Sequence, residues 1–126
     1  MSVVLDASAL LAFLHDEPGS EVVSRALEGA CVSAVNWSEV LQKSLHRQVD
    51  IEGMRQEFIA VGVSFEPFTP AQAETAARLW PRTRNQGLSL ADRACLALAM
   101  DRGLPALTAD RAWGALELDI EIRLVR

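Results

Sequence analysis

Lysine is almost missing from this chain: of twelve basic residues only Lys43 is one, and the other eleven are arginines. No Gly-x-Gly-x-x-Gly follows any apolar run, which removes the fingerprint of a dinucleotide-binding fold. His15 and His46 lack a His-x-x-x-His frame and Cys31 and Cys95 lack a Cys-x-x-Cys frame, so a soft-metal site has no ligands. The two cysteines are far apart in apolar surroundings and read as buried free thiols in a reducing compartment. No apolar stretch is long enough to span a membrane, and no basic region precedes an apolar core at the start. The expectation is a chain without a signal peptide, resident in the cytoplasm. A formal net charge of −5 argues against a broad basic surface that grips nucleic acid through phosphates alone. It leaves open nucleic acid brought to a bound cation, which inverts the local field.

What is present is an ordinary globular balance, with half of the 126 residues hydrophobic and 23% charged. That length suits one domain, residues 1–126, with a real core. Val3-Val4-Leu5 reads as a short buried strand, broken by Asp6 and followed at once by a helical pattern through Leu10, Leu11, Phe13 and Leu14. After a Pro/Gly break at 15–20, residues 21–27 have helical spacing, and 30–35 read as a second strand. Asn36 is placed to cap a helix carrying Val40, Leu41, Ser44 and Leu45, and Asp50 to open another over 51–61. Residues 63–67 alternate as a third strand. Thr69-Pro70 opens a helix that Pro81 is expected to end, and 82–87 read as a loop. Ser89 opens the most apolar helix, through Ala91, Ala94, Cys95, Leu98 and Ala99 to Gly103. Residues 104–108 and 120–125 give two further strands. Strands alternating with helices imply an α/β/α sandwich with a mainly parallel sheet of four to five strands. Strand order is not readable from the pattern.

Four acids stand at the junctions. Asp6 and Asp110 follow buried strands, Glu39 comes shortly after the second strand, and Asp92 opens the most apolar helix. Each has a local explanation. Asp6 and Asp110 suit helix caps, while Asn36 to Glu39 and Ser89 to Asp92 have the spacing of a capping box or close to it. Together they point to the C-terminal rim of the sheet, where ligands bind in open α/β folds. Carboxylates gathered there would repel one another without a cation, and Mg²⁺ or Mn²⁺ suits an all-oxygen donor set. Ser8 and Thr108 sit beside the acids and suit either a supporting role around a metal or ordinary turn hydrogen bonds. Trp37, Trp80 and Trp113 are read as core or interface packing rather than base-stacking platforms. Arg82, Arg84, Arg93 and Arg111 fall near the rim and are candidates for phosphate contacts.

Val4-Leu5-Asp6-Ala7-Ser8-Ala9-Leu10-Leu11, Asn36-Trp37-Ser38-Glu39-Val40, Leu90-Ala91-Asp92 and Leu107-Thr108-Ala109-Asp110-Arg111-Ala112-Trp113 resemble, in order and spacing, the PIN-domain ribonucleases. The likeness is strongest to the VapC toxins of toxin–antitoxin pairs and extends to Glu17-Pro18-Gly19-Ser20-Glu21. The resemblance implies a PIN-like fold and a Mg²⁺- or Mn²⁺-dependent endoribonuclease, paired with a small VapB-like antitoxin that occupies its active site. It further implies that Asp6, Glu39, Asp92 and Asp110 hold the metal, that water attacks the phosphodiester to leave a 5′-phosphate and a 3′-hydroxyl, and that the toxin forms a homodimer. Competing readings keep an acidic pocket without this chemistry. A receiver-like module needs a lysine after a late strand, whereas Lys43 is mid-helix. An aspartyl-nucleophile phosphatase needs a second Asp at position 8, which is serine. A catalytically silent PIN-like module acting through its partner contradicts nothing in the sequence.

Overall fold

The computed structural model describes residues 2–126. Five strands, β1 (Val4–Leu5), β2 (Cys31–Ser33), β3 (Ser64–Glu66), β4 (Ala106–Thr108) and β5 (Ile122–Leu124), pair in the order β3-β2-β1-β4-β5. Every pairing is parallel, with Val4 opposite both Cys31 and Ala106, and Leu5 opposite Leu107. Six α-helices flank the sheet: α1 (Ala7–Leu14), α2 (Ser20–Ala26), α3 (Ala34–His46), α4 (Met54–Ala60), α5 (Pro70–Thr83) and α6 (Leu90–Arg102). The pleat explains why the strands read as continuous apolar runs, since both of their faces are covered. Val3, Leu5, Val32 and Leu107 point into a core shared with α1 to α4. Val4, Cys31 and Ala106 point the other way, into a core built on α5, α6 and Trp113. The result is the expected three-layer α/β/α arrangement. Cys31 and Cys95 are buried and free, and among the described residues no helix is long and apolar enough to cross a membrane.

The chain runs outward from β1 to β2 and β3, then crosses back over the sheet to β4 and β5. The strand order therefore reverses between β1 and β4, and the point beyond their carboxyl ends is where open α/β sheets form their ligand crevice. Asp6 follows β1 directly, and Asp110 lies two residues beyond β4.

Several boundaries differ from expectation, each for a local reason. The second strand stops at Ser33, whose side chain accepts from the Val35 amide and caps α3. Asn36 is therefore not a cap. It lies inside the helix, fully buried, and its Nδ2 donates to the Ala91 carbonyl at 2.9 Å. Helix α4 begins at Met54 rather than 51, because Asp50 accepts from the Glu52 amide in a turn and Gly53 adopts φ +76°. Pro81 does not end α5, which continues to Thr83. Proline costs the helix only one amide donor there. The Thr83 hydroxyl donates to the Leu79 carbonyl at 2.9 Å, and the Arg93 guanidinium donates to the Ala76 carbonyl at 2.8 Å, so neighbouring groups hold the last turns. The loop expected at 82–87 is instead the end of α5 and a 3-10 turn, Arg84–Gln86.

Candidate active site

Asp6 is the most constrained of the four acids. As the N-cap of α1, its Oδ1 accepts from the Ala9 amide at 2.9 Å. The Thr108 hydroxyl donates to Oδ2 at 2.6 Å, and the Ser8 hydroxyl lies 2.8 and 2.9 Å from the two oxygens. Those hydroxyls are oriented in turn by backbone. The Ala109 amide donates to Ser8 Oγ at 2.9 Å and the Asp110 amide to Thr108 Oγ1 at 3.0 Å. The network ties the end of β1 to the end of β4 across the crevice. Asp6 is only 2% exposed, and this burial pushes its carboxyl up to about 6 from the ordinary 3.8, with Thr108, Ala9 and Ser8 pulling the other way.

Asp92 occupies the first turn of α6 in a reciprocal capping box: its amide donates to Ser89 Oγ, and its Oδ2 accepts from the Ser89 amide at 2.9 Å. Partial burial raises its pKa, and the charges of Glu39 and Asp110 raise it further. The charge of Asp92 in turn raises Asp6. Asp110 caps the 3-10 turn Arg111–Ala115 by accepting from the Ala112 amide at 3.0 Å, and it remains exposed. Glu39, in the second turn of α3, pairs with Lys43 at 3.3 Å. Three of the acids are thus caps, as their local sequence suggests, and Asp92 also lies within the field of the other three.

Asn36 sets the spacing of this group, since its bond to Ala91 fastens the start of α3 to the first turn of α6. Sequence reasoning missed that role because the partner is 55 residues away. It also missed Lys43, although a glutamate four residues before a lysine on a helix is a recognisable pairing signal. Trp113 is fully buried, and Trp37 packs edge-on to Phe58 at 5.8 Å. Trp80 lies outside the core: it is 49% exposed, with the Arg84 guanidinium 5.2 Å above its ring. Arg82 donates to the Glu117 carbonyl at 2.7 Å and Arg93 to Ala76, so two of the four rim arginines are engaged elsewhere.

The donor set is made of hard carboxylate oxygens with raised or mutually repelled charge, which fits a hard divalent cation. It is an electrostatic fit rather than a closed coordination shell: among the described residues no three His, Cys, Asp or Glu side chains form a ready metal-holding group. Thr108→Val tests the support of Asp6. Losing a hydrogen bond to a buried carboxylate costs about 1.5–3 kcal/mol. The loss is expected to be largest at pH 8, where Asp6 is ionised, and smaller at pH 4, where it is protonated. Thermal unfolding at the two pH values measures it, and an equal loss at both would show that Thr108 does not serve the charge.

A PIN domain family model matches residues 3–117. No curated protein matches the sequence significantly. Solved structures do. FitAcB from Neisseria gonorrhoeae is 20% identical with a TM-score of 0.71, covering 99% of this chain and 98% of that one. DNA-bound VapBC from Salmonella typhimurium is 15% identical with a TM-score of 0.70, covering 100% and 99%. VapC20 of Mycobacterium tuberculosis, described as a toxin that cleaves the sarcin-ricin loop, is 15% identical with a TM-score of 0.68, covering 91% and 96%.

Proposed function

This chain belongs to the PIN domain family, and from that premise we propose that it is a Mg²⁺- or Mn²⁺-dependent endoribonuclease, the toxin of a toxin–antitoxin pair. What supports the reading is that Asp6 and Asp110 follow the two strands between which the order reverses, with Asp92 within the electrostatic reach of Asp6, Glu39 and Asp110. Solved structures of similar fold support it, two of them named as VapBC and one as a sarcin-ricin-loop-cleaving toxin.

In this reading the four carboxylates hold the cation. A bound cation would supply an acidified water and counter-charge for the phosphate. The chain's own residues do the rest. Ser8 and Thr108 fix the orientation of the Asp6 carboxylate, the Ser89 capping box fixes Asp92, and Asn36 holds α3 against α6 so that Glu39 faces the same crevice. Hydrolysis then leaves a 5′-phosphate and a 3′-hydroxyl. A small VapB-like antitoxin and a homodimer complete the proposal, in the cytoplasm.

Because the cation binds only the folded state, Mg²⁺ or Mn²⁺ is expected to raise the melting temperature, adding about 2.7 kcal/mol of stability at a hundred times the dissociation constant. A melting temperature unchanged into the millimolar range would count against a site formed in the free protein. The direct test is incubation of partner-free protein with total cellular RNA in Mn²⁺ and in EDTA, alongside Asp92→Asn. Discrete 5′-phosphate ends that need both metal and Asp92 establish the nuclease. Folded protein that leaves RNA intact turns the reading to a silent module acting through its partner.

A further inference from the structure

Beside the acidic crevice, α1 and α3 border a cleft of about 420 Å³ lined by Ser8, Lys43, His46, Arg47 and Arg126, with Glu17 its one acidic residue. Its charge is opposite to that of the whole chain, which carries a net −5. Two of its residues are shared with the acids: Ser8 hydrogen-bonds Asp6, and Lys43 pairs with Glu39. The cleft therefore opens directly from the crevice. Arg126 reaches across to the Glu17 carboxylate at 3.3 Å and the Pro18 carbonyl at 3.1 Å, while the Arg47 side chain is exposed and has no partner among the described residues. Of the arginines on the other side of the rim, Arg82 and Arg93 already donate to backbone carbonyls and Arg84 stacks on Trp80, which leaves Arg111 exposed there.

We propose that this cleft seats backbone phosphates of the RNA strand next to the bond that is cut, with Arg47 and Arg126 as the phosphate contacts and Lys43 positioned between Glu39 and the strand. The inference rests on the nuclease reading and adds to it the path by which the strand leaves the crevice. The cation offsets the carboxylates only at the bond that is cut, so the phosphates beside it need further counter-charge, which an acidic protein must supply locally. Arginine's planar fork suits phosphate oxygens, and Lys43 supplies a compact charge that can exchange partners. An acidic protein segment would meet the same cations, and the experiment separates the two.

The test measures binding without cleavage, by fluorescence anisotropy of a labelled single-stranded RNA with the protein in EDTA over a range of salt. Arg47→Glu is compared with Arg78→Glu, which makes the same charge change at an exposed position of α5, on the other side of the sheet. The expected result is at least a tenfold loss of affinity for Arg47→Glu and no more than a twofold loss for Arg78→Glu. In the Arg47→Ala/Arg126→Ala protein the salt slope should fall by roughly 0.7 for each phosphate contact removed. Circular dichroism confirms that each variant is folded. If Arg47→Glu and the double variant bind like wild type while wild type cleaves RNA in Mn²⁺, the cleft assignment is wrong and the nuclease reading stands. If wild type neither binds nor cleaves, both fall. If poly-glutamate displaces the RNA as well as unlabelled RNA does, the cleft takes an acidic protein segment and the proposal is overturned.

Discussion

Asp6→Asn is expected to abolish cleavage and, in metal-free buffer at pH 8, to make the protein more stable. The two effects share one cause. Burial holds the Asp6 carboxyl at about 6 in the folded chain, against an ordinary 3.8. A carboxyl with a raised folded-state pKa binds its proton more tightly in the folded state, so its contribution favours folding at low pH. That contribution is lost as pH rises from about 4 through 6. Two pH units correspond to about 3 kcal/mol at pH 8, or roughly 10 °C for a domain of this size. Asparagine retains an oxygen for the Ala9 amide and carries no charge, so the cap survives and the buried charge is gone, while its NH2 in place of Oδ2 makes the Thr108 and Ser8 hydroxyls turn to accept, which takes back part of the gain. Below pH 4 the wild-type carboxyl is neutral in both states, and the advantage of the variant should vanish. Cleavage should fall by at least about 100-fold, because the charge that destabilises the empty fold is the one a cation needs. Thermal unfolding from pH 4 to 8, with RNA cleavage alongside, reads both effects. A variant that cleaves normally, or gains no stability at pH 8, would contradict the assignment of Asp6.

Trp113→Ala is expected to be the most damaging core substitution near the site. Trp113 is fully buried in the second core and lies in the 3-10 turn that Asp110 caps. Truncating a buried tryptophan costs about 3–5 kcal/mol, and on this scale that lowers the melting temperature by roughly 10–20 °C. Because its Nε1 has no hydrogen-bond partner, Trp113→Phe loses packing alone and should cost much less. Metal affinity should follow the same order, since the turn that presents Asp110 is built on this side chain. Denaturant unfolding of the two variants would show this; equal costs would mean that the cavity is not what matters.

The parts of the fold legible in the sequence were those whose cause is local. The end of β1 at Asp6, the Thr69-Pro70 start of α5, the Ser89 capping box and the Gly103 stop of α6 all carry their explanation within a few residues. What was not legible depends on partners far along the chain. Ala34 and Val35 extend an apolar run that looks like strand and leave Asn36 looking like the next cap, yet Ser33 caps the helix there and Asn36 finds its partner at Ala91. Pro81 looks like a stop, yet Thr83 and Arg93 donate to the carbonyls around it. The order β3-β2-β1-β4-β5 has no local signature, so the meeting of Asp6 with Thr108 across 102 residues had to come from the fold. The acids themselves were visible as residues at strand ends and helix starts. Their cationic neighbours were not, because Lys43, Arg47 and Arg126 come together only when α3 and the residues after β5 meet α1.

The account stands most directly on one measurement, the anomalous difference map of crystals grown or soaked with Mn²⁺. It predicts a peak beyond the carboxyl ends of β1 and β4, held by carboxylate oxygens of Asp6, Glu39, Asp92 and Asp110. It also predicts that Asp6→Asn crystals treated alike show no such peak. Manganese bound elsewhere, or a crevice without it in protein that cleaves RNA, would contradict the claim that these four carboxylates are a metal-dependent active site.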